Sequence, residues 1–251
     1  MGKLEKLEVL STADRQARID LAAAFRLAVR MDLHEGVCNH FTLMLPDGKR
    51  FLLNPYGLHW SEVSASNLLA LDAEGRILEG EGEAEKTAFY IHSRIHLANP
   101  RAACVLHTHM PYATALALTE PGRLEMVEQN AVRFAADIVY DDSYNGLVVD
   151  NAEGDRLARL LGAKRVLFLA NHGVIVVGPT VAEAYDLLYY LERACRLQVL
   201  ARATGLPFRK VRPEVVRETY RMILADTPKY AGAHFAALKR ILDREDPGYA
   251  R

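Results

Sequence analysis

The sequence predicts a single α/β or α+β domain with a largely antiparallel sheet. Segments of helical and strand periodicity alternate irregularly, and several predicted strands are joined by tight turns. Such short connections indicate antiparallel pairing, because parallel strands need a long crossover. The chain contains no internal repeat or low-complexity linker, so we expect one domain over residues 1–251.

Composition and charge restrict the class of protein further. The chain is 50% hydrophobic and 25% charged, which is typical of globular proteins. Its 31 basic and 32 acidic residues give no bias toward nucleic acid or an anionic membrane, which leaves small-molecule substrates or protein surfaces as the expected partners. The first residues, MGKLEKLEVLS, are charged where a signal peptide would be apolar, and we expect a cytoplasmic protein. Three widely spaced cysteines argue against a disulfide framework.

In the first third of the chain, we predict a helix followed by antiparallel strands. The Ser11-x-x-Asp14 pattern resembles a capping box, and the helix behind it is expected to end near Gly36. The segments HFTLML and RFLLN flank Pro46-Asp47-Gly48, which predicts a hairpin. Further strands are predicted in SASNLLALD and RILEG, on either side of a turn at DAEGR.

The remaining elements follow from the same signals. The acidic segment EGEGEAEK predicts a loop, and TAFYIHSRIHLA predicts a helix that stops before Pro100. A strand from Ala103 to His109 precedes a helix that starts at Pro111. RVLFLAN and GVIVVG predict paired strands, and Thr180-x-x-Glu183 predicts the cap of a helix that runs to about Ala203. Two more helices are predicted in the tail, from Pro213 to Ala225 and from about Tyr230 to Arg244.

Three histidines lie where a metal site could form. His107 and His109 are two apart on a predicted strand, so their side chains point the same way, ~7 Å apart along the strand. The alternative is two hydrogen-bonded or surface histidines. His172 lies in the predicted turn Asn171-His172-Gly173, where it is either a third ligand or a corner residue of a hairpin.

A second histidine pair competes for this role. His92 and His96 are four residues apart on a predicted helix, a spacing used by zinc proteases, but no Glu follows His92 as in those enzymes. The helix also carries Phe89, Ile91 and Ile95, which favours one partly buried histidine and one on the exposed helix face.

Taken in order, four segments resemble the class II aldolase and adducin superfamily. They are GVCNHFTLMLPDG, LLNPYGLHWSEVSASNLLALD, HLANPRAACVLHTHMPYATAL and FLANHGVIVVG, and the resemblance runs from about Leu21 to Ala203. It implies a core at about 21–203, with the C-terminal helices at 213–245 outside it. It also implies a three-layer α/β/α sandwich with a mainly antiparallel sheet, assembled as a homotetramer with active sites at subunit interfaces. In the enzymes three histidines hold a divalent ion, and they map onto His107, His109 and His172.

The sequence departs from the sugar-phosphate aldolases at the substrate site. The family's acid/base glutamate follows two serines, and the gapless match is Lys86-Thr87-Ala88. We expect Glu85, or Glu83, to replace it. The phosphate-binding segments are also altered, which leaves a carboxylate or other small anion as the expected ligand. The residues that we expect to bind substrate are His40, Asn54, Gly57 and Lys86, although Lys86 has the alternative of a solvated surface charge.

The leading hypothesis is therefore a metal-dependent carbon–carbon lyase that performs aldol cleavage or decarboxylation on a small hydroxy-carbonyl or carboxylate substrate, and not on a standard sugar phosphate. Three imidazole ligands suit Zn²⁺, with Mn²⁺ or another divalent ion as alternatives. Glu85 and Tyr140 are the expected catalytic residues, with Tyr144 as an alternative proton donor. The alternative function is a non-catalytic, adducin-like assembly module. A hydrolase is disfavoured because no general base is evident near the histidines.

Overall fold

The computed structural model describes residues 10–251, so the predicted absence of a signal peptide concerns a segment outside the described residues. Eight strands form one sheet in the order β4-β3-β2-β1-β5-β8-β7-β6. All neighbouring strands are antiparallel except β6 and β7. The strands are β1 His40–Met44, β2 Phe51–Leu53, β3 Leu69–Leu71, β4 Ile77–Glu79, β5 Cys104–Thr108, β6 Ile138–Asp141, β7 Val166–Leu169 and β8 Gly173–Gly178.

Helices cover both faces of this sheet. They are α1 Thr12–Arg30, α2 Lys86–Ala98, α3 Pro111–Ala117, α4 Gln129–Val132, α5 Asn151–Leu161, α6 Val181–Arg202 and α7 Pro213–Glu245. Two short 3₁₀ helices span Trp60–Glu62 and Pro247–Ala250. None of the helices in residues 10–251 is both long and apolar enough to cross a membrane.

The two sheet faces have separate cores, because side chains alternate along each strand. On β5, Leu106 packs with residues of α1 and α6 on one face, whereas Val105 packs with Ile91 of α2 and Leu157 of α5 on the other. Helix, sheet and helix therefore form three layers, and the predicted α/β/α sandwich with a mainly antiparallel sheet is confirmed.

The local signals located most of the elements correctly. The hairpin around Pro46-Asp47-Gly48 is β1 and β2, and RVLFLAN and GVIVVG contain the paired strands β7 and β8. Ser11 and Thr180 cap α1 and α6 through their side chains, as predicted. Strand β5 contains His107 and ends at Thr108, so that His109 directly follows it, and α3 begins at Pro111.

The region between α3 and β7 contains elements that the sequence patterns did not predict. Strand β6 runs parallel to β7, and α5 makes the crossover between them. Asp150 caps α5 by accepting a hydrogen bond from the Glu153 amide, a signal that was present in the sequence as Asp150-x-x-Glu153.

The prediction of two tail helices was wrong, because α7 is one continuous helix of 33 residues with Pro228 inside it. A proline at this position removes one hydrogen-bond donor and normally breaks a helix. The buried residues Thr227, Ala231, Phe235, Leu238 and Leu242 form one stripe, and its burial holds the segment around and after Pro228 in helical form.

Candidate metal centre

Three histidines converge where β5 ends beside the turn between β7 and β8. The nitrogen atoms of His107, His109 and His172 that could bind a metal lie within 4.8 Å of one another. Their ring centroids are 4.8–5.0 Å apart. His107 is 2% exposed, and the other two are partly exposed. The i, i+2 spacing of His107 and His109 at the end of β5 and the turn at His172 bring the predicted triad together.

Hydrogen bonds orient two of these rings. Nδ1 of His107 donates to the Val174 carbonyl at 3.0 Å, and Nδ1 of His109 donates to a Glu35 carboxylate oxygen at 2.5 Å. Since Nδ1 carries the proton in both rings, Nε2 keeps a free lone pair for a metal. Nε2 of His109 is buried without a hydrogen-bond partner among the described residues. A buried polar atom without a partner costs free energy, so this donor set fits a divalent ion.

The backbone of the His172 turn is adapted to close approach. Asn171 adopts a positive φ of 58°, a conformation that asparagine tolerates better than most residues. A Cβ added to Gly173 would lie 2.6 Å from the Thr108 carbonyl oxygen and 2.9 Å from His109 Cδ2. Only glycine therefore lets the turn lie against the end of β5.

His172 is neutral at ordinary pH. Burial, reinforced by the neighbouring His109, lowers the pKa of His172 to about 4. A neutral imidazole is the form that binds a metal, so no proton has to leave before an ion binds there.

His40 and Glu85 lie next to the triad. His40 is directly opposite His107 across the β1–β5 pair, with ring centroids 4.9 Å apart, and its Nε2 is 4.0 Å from Glu85 Oε2. Glu85 caps α2 by accepting hydrogen bonds from Ala88 N at 2.7 Å and Thr87 Oγ1 at 2.5 Å. Burial raises the pKa of Glu85, but these hydrogen bonds outweigh it and the net pKa is lowered. A carboxylate thus stands near the histidines although the family glutamate is absent.

The other residues predicted to bind substrate have different surroundings. Asn54 is buried at the end of β2, and its Oδ1 has no partner within the described part of the chain. Gly57 has a φ of +83°, and the loop between them is held to the segment before Glu85 by the Tyr56 amide, which donates to the Glu83 carbonyl at 2.8 Å. Lys86 is exposed in the first turn of α2. The structure thus places the loop against the Glu85 segment.

The structure does not support Tyr140 as a proton donor at this centre. Its ring packs against Phe168 on the α1 and α6 side of the sheet, whereas His107 faces the α2 side. The Tyr140 hydroxyl accepts a hydrogen bond from the Leu124 amide at 3.1 Å. Side chains alternate between the two sheet faces along β6, and this alternation points Tyr140 away from the triad. Strand β6 was not predicted from the sequence. Tyr144, beyond the end of β6, lies 6.3 Å from His172 between ring centroids and is the tyrosine beside the triad.

His92 and His96 are both buried, so the expectation of one histidine on the exposed helix face was wrong. Both rings point from α2 onto β1, where they hydrogen-bond to the Thr42 hydroxyl at 2.7 and 2.8 Å. Neither this arrangement nor the contact of Glu35 with His109 was predicted from the sequence. The available signal was His40-x-Thr42, which places two polar side chains on one strand face.

The α/β/α sandwich with a mainly antiparallel sheet and three histidines converging beside its central strands is the fold and candidate centre with which known families were compared. The chain matches the family model "Class II Aldolase and Adducin N-terminal domain" over residues 19–199. The protein belongs to the class II aldolase and adducin family.

Three similar proteins illustrate the range of the family. A class 2 aldolase-family protein of Caulobacter vibrioides is 33% identical over 96% of this chain and 94% of its own length. The crystal structure of an aldolase II superfamily protein from Pseudomonas syringae is 31% identical, with a TM-score of 0.92 and complete coverage of both chains. Alpha-adducin of Mus musculus is 34% identical over 76% of this chain but only 27% of its own length. The family therefore includes both aldolases and adducins.

Proposed function

We propose that the protein is a metal-dependent carbon–carbon lyase that cleaves or decarboxylates a small hydroxy-carbonyl or carboxylate substrate. The observation that carries this proposal is the triad of His107, His109 and His172, in which Nε2 of His109 is buried with no hydrogen-bond partner within residues 10–251. An all-imidazole site suits Zn²⁺, and Mn²⁺ or another divalent ion is the alternative. We further propose, from the resemblance to the family's enzymes, a cytoplasmic homotetramer with active sites at subunit interfaces.

Each part of the site has a role in this proposal. A divalent ion held by the three histidines supplies Lewis acidity, which polarises a carbonyl oxygen and favours the loss of a carbon–carbon bond. Glu85 is the acid/base group, which holds a proton or transfers it to or from the substrate. Both of its capping hydrogen bonds are accepted at Oε2, which leaves Oε1 for proton exchange. Asn54 and the backbone of Gly57 border the substrate on the Glu85 side, and Lys86 is proposed to attract an anionic substrate from the surface.

The alternative is an adducin-like assembly module without catalysis. It is supported by the similarity to alpha-adducin and by the alanine at the position of the family glutamate. The lyase is favoured because three imidazoles face one point, an arrangement that would leave buried polar atoms unused in a protein without a metal.

Elemental analysis of the purified, dialysed protein tests the proposal without knowledge of a substrate. We expect about one divalent ion per chain, lost in His107→Ala and in His172→Ala while both variants stay folded. His234→Ala is the matched control, because His234 bonds to Asp186 at 2.8 Å in the contact between α7 and α6. A native protein that cannot be loaded with Zn²⁺ or Mn²⁺ would favour the assembly module. Unchanged metal in both triad variants would exclude the triad.

A second experiment addresses Glu85. Once a screen of hydroxy-carbonyl compounds and aromatic carboxylic acids yields an activity, Glu85→Gln should lower turnover by about 10²-fold or more, because it removes the proton-transfer group. Its metal content should match that of the native protein. Glu183→Gln, a change at the first turn of α6, serves as a control for the loss of a glutamate near a helix start. Unchanged turnover in Glu85→Gln would remove this carboxylate from the mechanism.

A further inference from the structure

Behind the metal centre, a row of buried hydrogen bonds runs from β1 to α2. His40 Nδ1 lies 2.8 Å from His92 Nε2, and His92 Nδ1 lies 2.7 Å from Thr42 Oγ1. Thr42 Oγ1 also lies 2.8 Å from His96 Nε2, and His96 Nδ1 lies 2.7 Å from the Ala102 carbonyl oxygen. Every side chain in this row is buried.

The carbonyl at one end fixes the direction of all four hydrogen bonds. A carbonyl only accepts, so His96 donates from Nδ1, and its Nε2 then accepts from the Thr42 hydroxyl. Having donated its only proton, Thr42 accepts from His92 Nδ1. His92 Nε2 consequently accepts from His40 Nδ1. With Nδ1 protonated, His40 presents an unprotonated Nε2 toward Glu85, 4.0 Å away.

The opposite direction would require one additional proton on His96. Burial, which outweighs the hydrogen bond to Ala102, lowers the pKa of His96 to about 4, so this ring is neutral at neutral pH. The geometry of the row and the neutrality of its last ring thus favour the same tautomer of His40.

We propose that Thr42, His92 and His96 are positioning residues that hold His40 Nε2 as a hydrogen-bond acceptor for a substrate hydroxyl group. This inference rests on the proposed function and narrows its substrate class. The lone pair of His40 Nε2 accepts a hydrogen bond from a hydroxyl group. An anionic group at the same position would be repelled by this lone pair and by the Glu85 carboxylate, 4.0 Å from Nε2. At His40 the site therefore accepts a neutral hydroxyl group of a hydroxy-carbonyl substrate, and a phosphate or carboxylate group is disfavoured at this one position.

The tautomers can be measured directly by NMR on protein with ¹⁵N-labelled histidine rings. We expect His40, His92 and His96 all to carry the proton on Nδ1 and none on Nε2. The row contains no metal ligand, so the measurement is also valid on metal-free protein and separates this inference from the proposed function. A neutral His40 with its proton on Nε2 would overturn the proposal.

A pair of substitutions at Thr42 tests the effect on substrate. Thr42→Val removes the hydroxyl and interrupts the row, whereas Thr42→Ser preserves it. Calorimetric titration of the zinc-loaded proteins would use hydroxyacetone and inorganic phosphate as probes. We expect Thr42→Val to bind hydroxyacetone about tenfold more weakly than the native protein, with Thr42→Ser close to native.

Three outcomes would contradict the proposal. Equal affinity for hydroxyacetone in native and Thr42→Val protein would show that the row is only structural, even if the variant unfolds at a lower temperature. Phosphate binding more tightly than hydroxyacetone, or no binding of hydroxyacetone, would overturn the substrate class. If Thr42→Val does not fold, the NMR measurement on the native protein decides the tautomer of His40.

Discussion

At the scale of single residues, the candidate site depends on which imidazole nitrogen carries the proton. Val174 and Glu35 accept from Nδ1 of His107 and His109, so that both rings present Nε2 to the same point. In the row behind the triad, the Ala102 carbonyl accepts from Nδ1 of His96 in the same way, and the resulting order of donors leaves His40 with an unprotonated Nε2. Two carbonyl groups and one carboxylate thus determine the chemistry of several histidines.

Glu35→Gln tests whether the carboxylate supports the metal ligand. The amide can still accept a hydrogen bond from His109 but has no charge, so the basicity of Nε2 should fall and metal affinity should decrease by about 10-fold or more. Competition with a chelator measures the affinity. Glu74→Gln, at an exposed ion pair with Arg76, is the control and should retain native affinity. Native affinity in Glu35→Gln would show that this hydrogen bond does not affect the metal.

The sequence predicted the residues of the triad but not the residues that orient them. Strand alternation and the turn made His107, His109 and His172 candidates, and the resemblance to the class II aldolase and adducin family selected them as a set. Glu35 lies 74 positions from His109, and their contact depends on how the segment after α1 passes over the end of β5. His92 and His96 hydrogen-bond to Thr42, and their burial depends on the packing of α2 against β1, which periodicity alone does not give.

At the scale of elements, α2 connects the candidate site to α5, the other helix that packs on the same face of the sheet. Its N-cap is Glu85, its middle carries His92 and His96, and its outer side packs against α5. Gly154 of α5 makes this contact close, because a Cβ there would lie 2.2 Å from the Tyr90 carbonyl oxygen. The two helices are also joined by an ion pair of 2.5 Å between Arg94 and Asp155.

Gly154→Ala should therefore destabilise the protein by about 1–3 kcal/mol, because the added methyl group pushes α5 away from α2. The matched control is Gly232→Ala in α7, where an added Cβ meets nothing within 4 Å. Alanine costs less conformational entropy in a helix, so Gly232→Ala should stabilise by about 0.5–1 kcal/mol. Urea unfolding measures both changes. Equal effects of the two substitutions would show that α2 and α5 are not closely packed at Gly154.

Elements with a local cap or turn were predictable, whereas those determined by long-range packing were not. Ser11, Pro46-Asp47-Gly48 and Thr180 marked real boundaries. Strand β6 is short and partly exposed, and its parallel pairing with β7 requires α5 as a crossover, so the burial pattern of Tyr140 was not evident. The predicted break between Ala225 and Tyr230 contains Pro228, but the buried stripe of α7 keeps this helix continuous.

At the scale of the whole molecule, the candidate site lies at the centre of the sheet. His40 on β1 and His107 on β5 are cross-strand neighbours, and the β7–β8 turn adds His172 beside them. The central strands are buried on both faces, which removes water from the imidazoles and lowers their pKa. Folding of the sheet is therefore coupled to the protonation state of the buried histidines.

This coupling predicts that stability falls in mild acid. The pKa of His96 is about 4 in the folded protein and near its ordinary value of 6.5 in the unfolded chain. Between these values the unfolded chain binds a proton that the folded protein excludes. Stability should therefore fall as the pH decreases from 6.5 to 4, by about 3 kcal/mol from His96 alone, and this contribution should level off below pH 4.

Urea unfolding of the metal-stripped protein at pH 7, 5.5 and 4.5 measures this dependence, and removal of the metal keeps ligand release out of the comparison. His96→Phe should be less stable than the native protein at pH 7, because Thr42 and Ala102 lose a hydrogen-bond partner, but its stability should decline less between pH 7 and 4.5. The difference between the two slopes isolates the buried imidazole from other titrating groups. Parallel slopes for the native and His96→Phe proteins would show that folding does not lower the pKa of His96, and the direction of the row from His40 to Ala102 would then rest on its geometry alone.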